Sequence, residues 1–321
     1  MTETVPYWEA RARALARCLD ADPSVVIIGH ATSAPYNSDD GIRDRYPDRF
    51  LTPPISEFAV LSASVGAASA GLRPCVFLGT STFMYYGWSA FVNEAPHVRY
   101  LSGGQVSAPA VLHVLAGARR AGGVQHEHTP QSMLQGIPGL RLYTPATPQS
   151  IYDVVVAALT GDDPVVIADH VLLGETEGPL DEAASTQTGP LELLRSGDDG
   201  LIVGSSLMSQ RSLEAADSLA DGESLSLTVA NLVTLSPSPW AEVAELAERH
   251  PFTVFVDEAR GPGSPASYVM SRVAEQLPGE RLRLLCASET FYPFAPALLD
   301  EVVPTVGRIR DTVLAFAAQP R

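Results

Sequence analysis

The stretch EFAVLSASVGAASAGLRPCVFLGT, residues 57–80, sets two patterns side by side. Its first part, EFAVLSASVGAASAG (57–71), is a run of small and apolar residues with no proline, which predicts a helix. Its last part, RPCVFLGT (73–80), is a short apolar run of the kind buried on both faces of a parallel sheet. A helix feeding a buried strand is one unit of an α/β repeat, and the flanks extend it.

Upstream, PSVVIIGHA (23–31) is a β-branched apolar run ending on glycine and reads as another buried parallel strand. The polar, turn-rich segment 32–50 connects the two. Downstream, YGWSAFVNEAPHV (86–98) reads as a helix, APAVLHVLA (108–116) as a strand and TPQSMLQGI (129–137) as a short helix. LRLYTP (140–145), TPQSIYDVVVAALTG (147–161) and DPVVIADH (163–170) continue as strand, helix and strand. Residues 171–200 are acidic, rich in Gly, Ser and Thr, and lack sustained periodicity, the marks of a linker. Beyond them LIVGSS, SLSLTVANL, FTVFVDE and RLRLLCA read as strands separated by helices. The expected architecture is α/β with two domains, each a mainly parallel sheet with helices on both faces: 1–175, a linker at 176–197, and 198–321.

Bulk properties narrow the function. The 321 residues suit two domains, and 45% apolar with 18% charged residues at a mean hydropathy of +0.08 describes a globular chain. A net charge of −16 disfavours nucleic acid and anionic membrane surfaces as partners. All basic residues are arginine, so a Schiff-base lysine, a pyridoxal-phosphate site and a P-loop are excluded. Cys18, Cys75 and Cys286 are odd in number and widely spaced, which fits reduced core thiols in a cytoplasmic protein. The arginine-rich amphipathic N-terminus lacks a signal peptide's apolar region, and no run reaches the roughly 18 apolar residues of a membrane span. A cytoplasmic location without membrane attachment is expected.

Three places carry candidate chemistry. Ser56-Glu57 opens the small-residue helix, so Glu57 reads either as a dipole-compensating acid behind an N-cap serine or as a proton-exchanging carboxylate set among Pro54, Ile55 and Phe58. GGVQHEHTP (122–130) presents His126 and His128 on a glycine loop; further ligands at metal-site spacing are missing, and an active-site loop fits better. STFMYYGW (81–88) clusters aromatics after a strand, as core, as interface, or as a stacking platform for a flat heterocycle. His113, inside an apolar run, reads as a satisfied core residue. No G-x-G-x-x-G follows a strand.

Taken in order, RFLTPPISEFAVLSASVGAASAGLRP, VNEAPHVRYLSGG, VQHEHTPQSMLQGIPGLRLYTPATPQSIYDVVVAAL and DPVVIADH resemble the β subunit of the thiamine-diphosphate-dependent decarboxylase component of 2-oxo-acid dehydrogenase complexes, including the pyruvate, branched-chain and acetoin dehydrogenases. The second half matches mainly through TVFVDEARGPG and YPFAPALLDE. The resemblance implies a transketolase-like pyrimidine-binding domain followed by a transketolase C-terminal-like domain. It implies that Glu57 pairs with the pyrimidine ring nitrogen of thiamine diphosphate, that Phe83 stacks on the aminopyrimidine with Ile55 and Tyr86 adjoining, and that His126 assists substrate binding and acyl transfer with His128 beside it. It further implies that Mg²⁺ and the diphosphate are held mainly by a separate α subunit, since no GDG…N motif is present here. The assembly so implied is an α2β2 heterotetramer that serves a lipoyl acyltransferase or another carrier protein.

The chain departs from the family pattern at several points. His30 replaces an acidic residue, Ser89-Ala90 replaces a DQ pair, and QHEH replaces QHSQ. These leave open a split transketolase-like two-carbon transferase, and a non-catalytic scaffold subunit, beside the leading expectation of 2-oxo-acid decarboxylation with acyl transfer to a carrier thiol.

Overall fold

The computed structural model describes residues 2–29, 41–118, 122–184 and 189–319, so His30 lies outside the described residues. Two compact units emerge, one of Met1–Ala116, Met133–Tyr143 and Thr147–Thr188, the other of Gly117–Ser132, Thr144–Ala146 and Gly189–Arg321.

In the first unit the strands are β1 (Glu3–Pro6), β2 (Val25–Ile28), β3 (Phe50–Leu51), β4 (Arg73–Thr80), β5 (Val111–Ala116), β6 (Arg141–Tyr143), β7 (Val165–His170) and β8 (Glu177–Leu180). Within the unit they run β6-β7-β5-β4-β2-β3, every neighbouring pair parallel. The five apolar runs read as buried strands are β2, β4, β5, β6 and β7, and β2 and β7 are buried at every position. The chain leaves β2 for the edge strand β3 and returns to β4 on β2's other side. Such a reversal opens a crevice at the carboxyl ends of the strands, where open α/β sheets bind ligands. Gly29 ends β2 there at φ +151°, and a Cβ on it would stand 2.1 Å from the Phe77 carbonyl oxygen on β4.

The helix Glu57–Ser69 buries Val60, Leu61, Ser64, Val65 and Ala68. Its other face, with Phe58, Ala59, Ser62, Ala63 and Gly66, is exposed, so among the described residues this small-residue helix is covered on one side. The stretch 86–98, read as a single helix, instead continues a 3-10 segment (Ser81–Gly87) into π-type turns (Ser89–Glu94) and a short α-helix (Val98–Leu101).

A polar cluster lies within the apolar core. Arg11, on the helix Tyr7–Ala21, donates from Nη1 to Asp169 Oδ2 (2.9 Å), and His113 Nε2 on β5 donates to the same oxygen (3.1 Å). All three are buried, and His113 is the satisfied core residue its apolar setting implies. Burial pushes the Asp169 carboxyl up, but the hydrogen bond from His113 and the Arg11 charge outweigh it and hold the group down at about 2. Burial pushes the His113 imidazole down from its ordinary value.

The second unit contains β9 (Leu191–Arg195), β10 (Gly200–Gly204), β11 (Leu227–Leu232), β12 (Thr234–Ser236), β13 (Thr253–Arg260) and β14 (Leu282–Ala287). Its sheet runs β14-β13-β10-β11-β9, parallel except for the edge pair β11–β9. The stretch 176–197 therefore carries two strands that its composition does not announce. Here β8 pairs antiparallel with β1, and β9 closes the second unit's sheet. Cys18 and Cys75 are buried and Cys286 is half-buried, all three as free thiols.

Candidate active site

Glu57 is the first residue of its helix, preceded by Ser56 in extended conformation at the N-cap position. Ser56 makes no side-chain cap bond, and only its carbonyl is used, accepting from Val60 N (2.9 Å). Ser56 thus caps the helix through its backbone alone, and Glu57 stands in the first turn, where a carboxylate complements the helix dipole. Glu57 is half-buried and is the one acid in the helix's first turn. The helix packs against the aromatic segment Ser81–Gly87. At the junction a Cβ on Gly87 would stand 2.9 Å from the Glu57 carbonyl oxygen and 2.6 Å from Leu61 Cδ1. Only a glycine lets the two segments approach this closely.

Along the aromatic segment Met84 is buried, Phe83 is half-buried and Tyr86 is exposed, while the Tyr85 and Trp88 rings stand 6.2 Å apart. Ile55 and Phe58 are 77% and 55% exposed, so among the described residues the apolar enclosure expected around Glu57 is not complete. Glu57, Ile55, Phe83 and Tyr86 thus belong to the first unit, and His126 and His128 to the second.

The QHEH loop is pinned at both ends. Gly117 N donates to the His128 carbonyl (2.8 Å), His126 N donates to the Gly123 carbonyl (3.0 Å), and Gly122 N donates to Glu127 Oε1 (2.7 Å). Glu127 is fully buried, so the acid between the two imidazoles serves the loop from inside. His126 Nδ1 faces the Gly122 carbonyl at 3.2 Å. A carbonyl only accepts, so in this contact Nδ1 carries the hydrogen. His128 is half-buried; burial first, and then the charge of Arg260, push its imidazole down from its ordinary value.

Arg260 closes β13 and is a residue that the sequence reading did not single out. Its Nε donates to the Thr290 carbonyl (2.7 Å), and its guanidinium carbon lies 4.6 Å from the Tyr292 ring centroid. Tyr292 is buried and donates to the Glu258 carbonyl (2.7 Å), while Glu258 Oε1 accepts from Ala118 N (3.1 Å). Among the described residues no group of three His, Cys, Asp or Glu side chains is placed to hold a metal ion.

Comparison with known proteins agrees with this geometry. Residues 3–174 match the transketolase pyrimidine-binding domain, and residues 189–309 the transketolase C-terminal domain. The β subunit of acetoin:2,6-dichlorophenolindophenol oxidoreductase from Cupriavidus necator is 32% identical, with 90% of each chain covered. The pyruvate dehydrogenase E1 component subunit beta-2 of Oryza sativa is 31% identical over 94% of this chain and 83% of its own. Among solved structures, a split-gene transketolase determined as an inactive β4 tetramer superposes with a TM-score of 0.77 at 21% identity, covering 98% of both chains. Leishmania mexicana transketolase gives 0.72 at 15% identity, covering 98% of this chain and 46% of its own. The paired domains and the extended similarity show that the chain belongs to the transketolase-like family, among the β subunits of the acetoin and pyruvate dehydrogenases.

Proposed function

We propose that the protein is the β subunit of a thiamine-diphosphate-dependent enzyme that decarboxylates a 2-oxo acid and passes the acyl unit to a lipoyl or other carrier thiol. The observation that supports this reading most strongly is Glu57, a half-buried carboxylate opening a helix that glycine at 87 brings against an aromatic segment. The donor set fits an aminopyrimidine. Glu57 would hold a ring nitrogen, Phe83 and Tyr86 would offer aromatic faces, and Ile55 would add an apolar flank. When bound, thiamine diphosphate supplies the electron sink for decarboxylation, which no side chain provides.

What remains for the residues is positioning and proton handling. Glu57 would hold the proton at the pyrimidine nitrogen, with its backbone fixed by the contact at Gly87. Such acid–base assistance is worth roughly 10²–10⁴ in rate. His126, held through Nδ1, would present Nε2 to the substrate or acyl group, with His128 beside it in the same loop.

The diphosphate and Mg²⁺ are assigned to a partner α subunit in an α2β2 assembly. The exposed Ile55, Phe58 and small-residue helix face are then surfaces for that partner to cover, which would complete the enclosure of Glu57. A cytoplasmic location is part of the same reading; no described helix is long and apolar enough to cross a membrane.

The test is reconstitution with the α subunit and turnover of pyruvate, branched 2-oxo acids and ketose phosphates. Glu57→Gln is expected to lower turnover by at least two orders of magnitude. Full activity in that variant removes the mechanism, and activity on ketose phosphates alone removes the dehydrogenase assignment.

A further inference from the structure

A cavity of about 510 Å³ on the second unit is lined by His128, Arg260, Pro262, Glu289, Thr290 and Phe291. Its size lies in the range of small-molecule sites. The guanidinium of Arg260 is held at two points, with Nε on the Thr290 carbonyl and one face against the buried Tyr292 ring. Neither Nη1 nor Nη2 donates to a described residue. A guanidinium fixed in this way presents a pre-organised fork, the geometry that takes a carboxylate or phosphate through two parallel hydrogen bonds. His128 lines the same cavity. Burial and the nearby guanidinium keep its ring uncharged at neutral pH, so it offers hydrogen bonds without a second positive charge. Glu289 also lines the cavity and is exposed. Its carboxylate repels a second anionic group and can accept from a hydroxyl. One cation and one anion in a single cavity select a ligand with one oxyanionic end.

We propose that Arg260 and His128 form an oxyanion subsite that takes the carboxylate or phosphate end of the substrate, with Arg260 as a specificity-determining residue. This rests on the reading of the QHEH loop as substrate-facing. The signal in the sequence is an arginine at the end of a buried strand, and its meaning appears only with Thr290 and Tyr292, about thirty residues on.

The test uses the full-length chain, with inorganic phosphate and pyruvate titrated separately at constant ionic strength and followed by calorimetry and by the His128 ring resonances. At least one probe is expected to bind saturably and to raise the midpoint of His128 titration, since a bound anion favours the imidazolium. Phosphate binding identifies a phosphorylated substrate, and pyruvate binding a 2-oxo acid. Arg260→Gln should weaken that binding at least tenfold. Arg260→Lys, which keeps the charge but not the fork, should weaken it about threefold and decides the matter if the Gln variant does not fold. Absence of saturable binding by both probes, or unchanged affinity in either folded variant, overturns the subsite. Binding needs no turnover, so the two readings fail separately: Glu57→Gln should bind the anion normally, and if it also turned over normally the thiamine mechanism would fall while the subsite stood.

Discussion

Replacing Gly87 by alanine tests how the candidate carboxylate is positioned. The added Cβ would stand 2.9 Å from the Glu57 carbonyl oxygen, 3.1 Å from its carbon and 2.6 Å from Leu61 Cδ1, where ordinary contact begins at 3.4 Å. Leu61 is fully buried and its methyl has little room to retreat. The helix start must therefore move by about 0.5 Å, and overpacking of this kind costs about 1–3 kcal/mol. A misplacement of about 1 Å at a reacting group costs about 10²-fold, so half of that predicts about a tenfold loss in kcat with KM little changed. The assay is steady-state turnover of the reconstituted enzyme beside thermal unfolding of the same preparation. Gly222→Ala is the control, because a Cβ there meets nothing within 4 Å and the site lies in the helix Leu207–Glu223. It should leave turnover unchanged and raise stability by up to about 1 kcal/mol. A Gly87→Ala enzyme with wild-type kcat and an unshifted unfolding temperature would refute the positioning role.

Further outcomes follow from the buried ionisable groups. Arg11→Met takes the buried guanidinium away from the Asp169 carboxylate and should cost about 3–5 kcal/mol in denaturant unfolding, well beyond the loss of a surface pair; a loss below about 1 kcal/mol would contradict the geometry. Asp169, held at about 2, contributes about 2 kcal/mol at pH above its unfolded value of 3.8, lost as pH falls through 2. Asp257 behaves oppositely. It accepts from Ala259 N (2.8 Å) and Ala266 N (2.9 Å), yet burial raises its carboxyl to about 6. Its contribution of about 3 kcal/mol is therefore present below pH 3.8 and lost as pH rises through 6. Chemical denaturation across pH 4–7 should show that fall, and Asp257→Asn should flatten it; an equal slope in the variant contradicts the assignment.

The parts of this molecule that were legible in its sequence are those set by local pattern. RPCVFLGT is β4 to the residue, because an apolar run bounded by turns can be satisfied only as a buried strand. His113 could be placed in the core from its neighbours, although its partners Asp169 and Arg11 lie 56 and 102 positions away and leave no mark nearby. Glu57 and Phe83 stood out by type and motif. Gly87, which fixes one against the other, did not, because its importance lies in a contact with residues 57 and 61 that spacing does not reveal. The same contact accompanies the 3-10 and π turns in a stretch whose composition favours a plain helix. ETVP and EGPL carry no alternation and each includes a proline, so β1 and β8 become strands only through each other. Arg260 carried no local signal of its own, because its guanidinium takes its direction from Tyr292 and Thr290, about thirty residues on.

The pairing of β1 with β8 also carries a temporal consequence. Glu3 finds its partner in Leu180, and Arg11 finds its own in Asp169. A chain synthesised from its N-terminus must hold these first residues unpaired until about 180 have left the ribosome. During that interval the first helix offers an arginine with no carboxylate and a strand with no neighbour. The first unit is therefore finished by its last segment rather than its first, and a protein released before residue 177 would have β2 to β7 and still lack the strand that pairs with β1.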